Sequence, residues 1–428
     1  MKGVVLVFLQ CIECGDHYPT NQMLTRCACG GLLDLELEFN GSVDIATFDR
    51  RLQSLTGPNR SGVWRYRELL PPVPEDAIVT KPEGNTNLYE VQHLAQWAGI
   101  DRLVLKHEGE NPTGSFKDRG MTVATSQAKW AGARMVACAS TGNTSASVAS
   151  YAALAGIPAI VFVPQGKIAA AKLGQTIAYG ARIVQVRGDF DSAMRLVQEA
   201  SHEYEIYLLN SVNPFRVEGQ KTIIYELLHQ LNWEMPEWIV VPGGNLGNSS
   251  AFGKALVDLN AAGLITRFPR VVIVQSAGAA PFYNAYQSGF KSYATVTAET
   301  VATAIRIGAP VGYSKARRTI EITDGVVASV SDNEILEAKA MIDRAGIGCE
   351  PASATSMAGI RKLAQSGVIP ANAFVAGVLT GHVMKDSDTV MSYHLGPGSE
   401  NRPLANRPVL IKPTLDALKE ILGDALSG

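Results

Sequence analysis

Residues 107–122 read HEGENPTGSFKDRGMT and place a single lysine, Lys117, where a Gly/Ser/Thr-rich loop turns into a helix. Ser115, followed three residues later by Asp118, fits the Ser-x-x-acidic capping signature and predicts a helix opening near Phe116, with Lys117 in its first turn. A cation is disfavoured there by the partial positive charge of the helix start, and burial lowers its pKa further. An amine that loses its proton easily can form an imine with an aldehyde. The plain alternative is a surface lysine paired with Asp118 or a nearby acid.

Four other stretches have chemistry-bearing composition. ASTGNTSASVA (139–149) runs from a strand end through a turn of short polar residues into a helix, an arrangement that offers backbone N–H groups and hydroxyls to a carboxylate. PGGNLGNSSAF (242–252) repeats that grammar, and Gly243, Gly244 and Gly247 allow the backbone to approach a phosphate closely. It is neither a GxGxxG fingerprint nor a P-loop, which argues against a dinucleotide and against ATP. SVNPFRVEGQKT (211–222) sets Asn213, Arg216 and Lys221 around a strand-to-helix junction. Arginine is shaped to bind a phosphate or carboxylate through two parallel hydrogen bonds, unless Arg216 is spent on Glu218 or another acid. VLTGHVMKD (378–386) ends a strand with Thr380, whose neutral hydroxyl can hydrogen-bond a ring nitrogen without protonating it.

Cys11, Cys14, Cys27 and Cys29 form two pairs about a dozen residues apart, a zinc-ribbon-like layout whose second arm, CxC, is tighter than CxxC. They are candidate zinc ligands, or else idle thiols in a small β-element. Cys138 and Cys349 read as buried hydrophobes.

These residues need a scaffold, and 428 residues with 46 % hydrophobic and 18 % charged side chains suffice for two packed lobes or one large α/β body. A formal charge of −2 argues against a nucleic-acid partner. MKGVVLVFLQ reads as a strand rather than a signal peptide, and no apolar run approaches a membrane span, so a cytoplasmic protein with no membrane partner is expected. From residue 133, RMVACAS, NTSASVASYAALAG, IPAIVFVP, KIAAAKLGQTIAYG, ARIVQVR, DSAMRLVQEASHEY and IYLLNS alternate strand and helix, the pattern of βαβ units on a parallel sheet. A second series runs through EWIVVPGG, NLGNSSAFGKALVDLNAAG and RVVIVQSAG and returns in EPASATSMAGIRKLAQSG and AFVAGVLTG. Residues 290–330 are poorly periodic and are expected to be irregular or lid-like.

Taken in order, ENPTGSFKDRG, ASTGNTSAS, NPFRVEGQKT, GGNLGN, AIRIG, EPASA and TGHVMKD resemble the motifs of the fold-type II pyridoxal-phosphate enzymes, and among them most closely the threonine synthases. The resemblance covers most of the chain. It implies an α/β, two-lobed fold with twisted parallel or mixed sheets flanked by helices. The implied division is a cysteine-containing element at 1–45, a large cofactor-binding domain at 46–119 and 213–400, a small α/β domain at 120–212 and a tail at 401–428. By the same resemblance Lys117 holds pyridoxal phosphate and shuttles protons, Asn143 meets the cofactor's phenolic oxygen, and Thr380 its ring nitrogen. Gly243, Gly244, Asn245, Leu246, Gly247 and Asn248 would hold its phosphate. Ser140, Thr141, Asn143 and Thr144 would take the substrate carboxylate, and Lys172, Asn210, Arg216 and Asn245 the substrate's own phosphate. The implied reaction turns O-phospho-L-homoserine and water into L-threonine and phosphate, in a chain expected to form a homodimer.

Four readings compete with this one, of which a Rossmann-type oxidoreductase fails on the missing GxGxxG fingerprint and the missing acidic residue that should follow it. A threonine or serine dehydratase has no substrate phosphate to bind, which Arg216 argues against, and an O-phosphoserine synthase differs by one methylene. A zinc-ribbon scaffold or nucleic-acid-binding protein would have no use for Lys117. The chain also departs from the resemblance. APVGYSKARR follows AIRIG where an Asn before the proline and a Ser-Trp pair are expected, Val383 stands where a second glycine is usual, and the long extension of the plant enzymes, with its S-adenosylmethionine activation, is not expected.

Overall fold

The computed structural model describes residues 3–40, 43–166, 170–188 and 190–422. The chain divides into two units, Met1–Asp386 and Ser387–Gly428.

Three sheets organise the first unit. β1 (Gly3–Cys11), β2 (His17–Tyr18) and β3 (Leu33–Asn40) form a small antiparallel sheet in the order β2-β1-β3. β4 (Leu88–Glu90), β5 (Arg102–His107), β10 (Trp238–Pro242), β11 (Arg270–Ser276), β12 (Val326–Val330) and β13 (Phe374–Leu379) make a six-stranded sheet, β12-β11-β10-β13-β5-β4, parallel except for β4. β6 (Val136–Ala139), β7 (Ala159–Pro164), β8 (Arg182–Val186) and β9 (Tyr207–Leu208) form an all-parallel sheet in the order β8-β7-β6-β9.

This is the expected α/β architecture. The interior strands are continuous apolar runs because helices cover both faces of a parallel sheet, so β10 and β13 are buried at every position. The fold brings the C-terminal ends of β5, β10 and β13 side by side, the edge where open α/β sheets bind ligands.

One segment differs from expectation. Within 290–330, the stretch 292–302 has no regular structure, but Tyr313–Ile322 is a helix and Val326–Val330 is β12. Lys315 and Thr319 are buried on that helix beside Ala316 and Ile320, and polar residues on the core face hide its apolar period. Asp332–Arg344 adds a helix opened by a capping box between Ser331 and Glu334. The second unit contains the helices Ser387–Leu395 and Leu415–Leu422. Among the described residues, no helix is long and apolar enough to cross a membrane.

Candidate active site

The helix Lys117–Trp130 begins one residue later than its sequence signature suggests, and the predicted capping box is not formed. Ser115 is buried with its hydroxyl unpartnered among the described residues, while Asp118 turns back into the loop. There it accepts from the Thr113 amide (2.6 Å), the Thr113 hydroxyl (2.7 Å) and Ser147 (2.6 Å). Asp118 is therefore committed to Thr113 and Ser147, and the surface pairing of Lys117 with it is ruled out. Among the described residues Lys117 has no hydrogen bond or ion pair, and its Nζ lies 3.9 Å from the centre of the Phe116 ring. Burial, reinforced by the Arg216 charge and opposed by Glu350, pushes its pKa down to about 7.

Two sets of contacts fix this lysine in space. Backbone bonds Phe116 N–H to Thr380 O (3.0 Å) and His382 N–H to Gly114 O (2.9 Å) tie its loop to the end of β13. Beneath it, Arg119 donates to Glu108 (2.6 Å) and Glu226 (2.7 Å), and Lys106 donates to the same Glu226 (2.7 Å), all fully buried. That cluster joins β5, the lysine helix and the helix Pro214–Gln230. The two helices touch at glycines: a Cβ on Gly219 would lie 1.8 Å from the Arg119 carbonyl oxygen, and one on Gly120 2.8 Å from that of Arg216. This close approach sets Lys117 and Arg216 on neighbouring elements.

Arg216 is the unusual charge of the site. It is buried, donates from Nη1 to Leu209 O (3.1 Å), leaves Nε unpartnered, and forms no ion pair among the described residues. Its suspected partner Glu218 is paired instead with Lys221, which also meets Asp258, so Lys221 serves the core rather than the site. Desolvation pulls the Arg216 guanidinium down to about 10. A buried guanidinium without a carboxylate is costly unless an anion joins it.

The Gly243–Asn248 segment forms a cradle after β10. Leu246 adopts a left-handed conformation (φ 64°), and a Cβ on Gly243 or Gly244 would meet Ile273 or Ile305 at 2.6 or 2.9 Å, so this path of the backbone requires glycine. The helix Gly247–Ala261 follows, and the buried Asn248 Oδ1 and Ser249 hydroxyl at its start have no partner among the described residues. A turn of backbone N–H groups at a helix start with spare polar atoms fits a phosphate. Asn245 is already engaged, donating to Ser211 Oγ (2.8 Å) and accepting from Val311 N–H (2.8 Å).

Thr380, at the end of β13, lies 3.0 Å from Ser353, whose hydroxyl also receives the Thr380 (2.9 Å) and Gly381 (2.8 Å) amides. A neutral hydroxyl pair thus closes this corner. Across from it, Asn143 opens the helix Asn143–Ala155 and donates to both oxygens of Glu350 (3.1 Å each). Glu350 is buried, and desolvation raises its pKa despite the Asn143 bond. Ser140 and Thr141 stand half-buried in the turn before that helix, where Ser140 accepts from Gly142 N–H (3.3 Å), and Thr144 is half-buried in the first turn of the helix itself. Asn210 spends both ends of its amide on the Ala139 backbone (2.9 and 3.0 Å), fixing the end of β6 just before that turn. The side chain of Lys172 lies outside the described residues.

Sequence reasoning assigned no role to Glu350, Ser353, Ser211 or Lys385. The first two stand in EPASA, quoted as a motif, but their bonds to Asn143 and Thr380 cross long sequence separations. Half-buried Lys385 bonds Gln175, and burial depresses its pKa. The departures also have structural reasons. Val383 begins a short 3-10 turn, Val383–Asp386, with no positive φ, so no glycine is required, and it packs against Gly348. Gly312 donates to Asn245 O (3.2 Å), and a Cβ there would come within 2.9 Å of that oxygen.

Residues 79–381 match the pyridoxal-phosphate dependent enzyme family. The threonine synthase of Methanocaldococcus jannaschii is 42 % identical over 96 % of this chain and 98 % of its own length, and that of Methanosarcina acetivorans 42 % over 97 % and 98 %. Threonine synthase 2 of Arabidopsis thaliana, a chloroplastic protein, is 39 % identical over 96 % of this chain and 83 % of its own. Among solved structures, threonine synthase from Escherichia coli superposes with a TM-score of 0.69 at 18 % identity, covering 98 % of this chain and all of that one, a likeness of fold. The chain is a member of the pyridoxal-phosphate-dependent enzymes and, within them, of the threonine synthases.

Proposed function

We infer that the chain converts O-phospho-L-homoserine and water into L-threonine and inorganic phosphate. The observation that carries the choice of substrate is Arg216, a buried guanidinium with a free Nε and no carboxylate partner, on a helix in close contact with the one that begins at Lys117. A substrate bearing its own phosphate supplies the missing anion; a dehydratase substrate does not. Six cysteines, none in a disulfide, suit the reducing cytoplasm in which we place the reaction.

The residues fit pyridoxal phosphate. Lys117 offers an unpartnered amine with a pKa near neutrality for the aldehyde, the Gly243–Asn248 cradle suits the phosphate, Asn143 suits the phenolic oxygen, and the Thr380 hydroxyl the ring nitrogen. When bound, the cofactor supplies an electron-withdrawing ring that stabilises negative charge at the substrate α-carbon. The chain's own groups do the rest. Lys117 takes the α-proton and a β-proton, Arg216 draws the γ-phosphate into position as it leaves, a proton returns to the γ-carbon to make the methyl group, and, with the carboxylate held by the Ser140–Thr144 turn, water adds at the β-carbon and Lys117 returns a proton to the α-carbon. Thr380 has no charge with which to hold a proton on the ring nitrogen, so reactions that need a strongly electron-withdrawing ring are disfavoured. Lobes built on 46–119 with 213–400 and on 120–212 would close around the substrate.

The test compares KM for O-phospho-L-homoserine, O-phospho-L-serine and L-threonine in wild type and Arg216→Leu. The reading predicts selective loss for the phosphorylated substrates, with kcat/KM falling roughly 10²-fold or more. An equal effect on all three, or none, contradicts it.

A further inference from the structure

The four N-terminal cysteines play no part in this reaction, yet the structure gathers them. Their Sγ atoms all lie within 4.8 Å of one another, with Cys11 to Cys29 and Cys14 to Cys27 both at 3.5 Å. Four thiolates around one zinc ion at ~2.3 Å sit about 3.8 Å apart, so the sulfurs already stand at coordinating separation. The short CxC arm closes through a turn, with Gly30 N–H to Cys27 O (2.9 Å) and Gly30 at φ 88°. Gly31 is needed because a Cβ would lie 2.7 Å from Cys11 Sγ. Backbone amides of Glu13 and Gly31 donate to Cys11 Sγ and Cys29 Sγ (3.4 Å each), which holds these sulfurs in place within the cluster.

The element that carries this cluster shares a buried apolar cluster with the catalytic body, Leu9, Leu33 and Leu35 beside Val63, Trp64 and Leu70, and is tied to it by two sets of polar contacts. Cys11 pairs directly with Leu33 in the β1–β3 ladder. The Leu33 carbonyl and the buried Asp34 carboxylate accept from Lys315 Nζ (2.7 and 2.8 Å), and Asp34 also accepts from Arg318 (2.6 Å). Lys315 and Arg318 belong to the helix Tyr313–Ile322, and just before it Val311 and Gly312 donate to Asn245 in the phosphate cradle (2.8 and 3.2 Å). The second attachment is Gln127 of the lysine helix, which donates to the Thr20 carbonyl in the cysteine-bearing loop (2.8 Å). The segment after AIRIG that departs from the expected sequence supplies the first of these attachments.

We propose that Cys11, Cys14, Cys27 and Cys29 bind one zinc ion, and that the metal keeps the N-terminal sheet folded as a brace for the helix and loop that hold Asn245. The metal is structural: all four ligands come from protein, and no coordination position is left for substrate. Losing it frays the cysteine loops, frees Asp34 from a fixed geometry, and loosens the 311–312 segment against the cradle. The brace half of this proposal rests on the reading of Asn245 as a contact to the substrate's own phosphate, the site that inorganic phosphate would occupy in the holoenzyme; the metal half does not.

The experiment uses the purified holoenzyme. Elemental analysis is expected to give one zinc per chain, and cobalt exchange a thiolate-to-metal charge-transfer band. Stripping the metal with an organomercurial and a chromophoric chelator is expected to lower Tm and weaken inhibition by inorganic phosphate several-fold. A paired Asp34→Asn/Lys315→Met variant, which removes the buried pair together and leaves only the exposed Arg318 without its acid, is expected to keep the zinc yet show the same loss of phosphate inhibition. Substoichiometric metal after growth in zinc-supplemented medium, or thiols found oxidised to disulfides, overturns the metal site. Bound zinc whose removal leaves Tm and phosphate inhibition unchanged overturns the brace. Absence of phosphate inhibition in the untreated enzyme refutes the brace by removing the phosphate site on which it rests, and leaves the zinc stoichiometry to decide the metal half. Because stripping starts from folded protein, the test stands even if cysteine variants do not fold.

Discussion

In the proposed reaction Lys117 and Arg216 act through a related circumstance, a half-buried amine and a buried guanidinium each with too little opposite charge. For Lys117, a folded-state pKa of about 7 lies below the 10.5 of an ordinary lysine. The neutral amine thus predominates above pH 7, and the rate at which apoprotein captures pyridoxal phosphate is expected to rise with pH to a plateau just above 7 rather than near 10. Stopped-flow absorbance against pH reads this directly. The same shift makes the unfolded chain bind the extra proton, so the lysine's stability cost in the apoprotein is full below about pH 7 and fades as pH rises toward 10.5. Lys117→Met apoprotein should accordingly melt higher than wild-type apoprotein at pH 6.5, and the gap should narrow by pH 9. At Thr380 the hydroxyl pair with Ser353 keeps the corner neutral, and Thr380→Asp is expected to divert or abolish turnover. An unchanged product ratio, measured by amino-acid analysis, would count against that role.

At the scale of elements, the site depends on how closely the helices Lys117–Trp130 and Pro214–Gln230 approach. Gly219→Ala places a methyl group against the Arg119 carbonyl and should destabilise the protein by about 1–3 kcal/mol or more in a denaturant titration. Glu226 holds both Arg119 and Lys106, and its loss leaves the buried Lys106 without an acid partner beside Arg119, which keeps Glu108; Glu226→Ala should cost about 3–5 kcal/mol. These elements were legible in sequence where side chains advertise them. The βαβ alternation from 133 onward and the GGNLGN turn are local patterns, and they appear in the structure within a few residues of their expected bounds. The helix Tyr313–Ile322 was not legible, because a lysine ordinarily marks a solvent-facing position, whereas Lys315 is buried on an acid, Asp34, that lies 281 residues away. The capping of the lysine helix misled for a related reason: Ser115 and Asp118 have the right spacing, but Thr113 and Ser147 compete for the carboxylate.

For the whole molecule, the sheet order β12-β11-β10-β13-β5-β4 does what no single motif can, bringing Gly243–Asn248, Thr380 and the Lys117 loop from positions up to 263 residues apart to one sheet edge. The identity of the groups was readable because each motif carries its own chemistry; their pairing, as of Asn143 with Glu350, was not, because it is made only by tertiary packing. The central claim is that this assembly replaces a γ-phosphate by a β-hydroxyl with Lys117 moving the protons. The most direct measurement is phosphate release from O-phospho-L-homoserine with the amino-acid product identified, in wild type and Lys117→Ala. The account predicts L-threonine in equal amount to phosphate for wild type, and for the variant loss of the cofactor's bound absorbance band with turnover reduced by ~10²–10⁴-fold or more. Phosphate released without threonine, or threonine formed undiminished by Lys117→Ala, would contradict it.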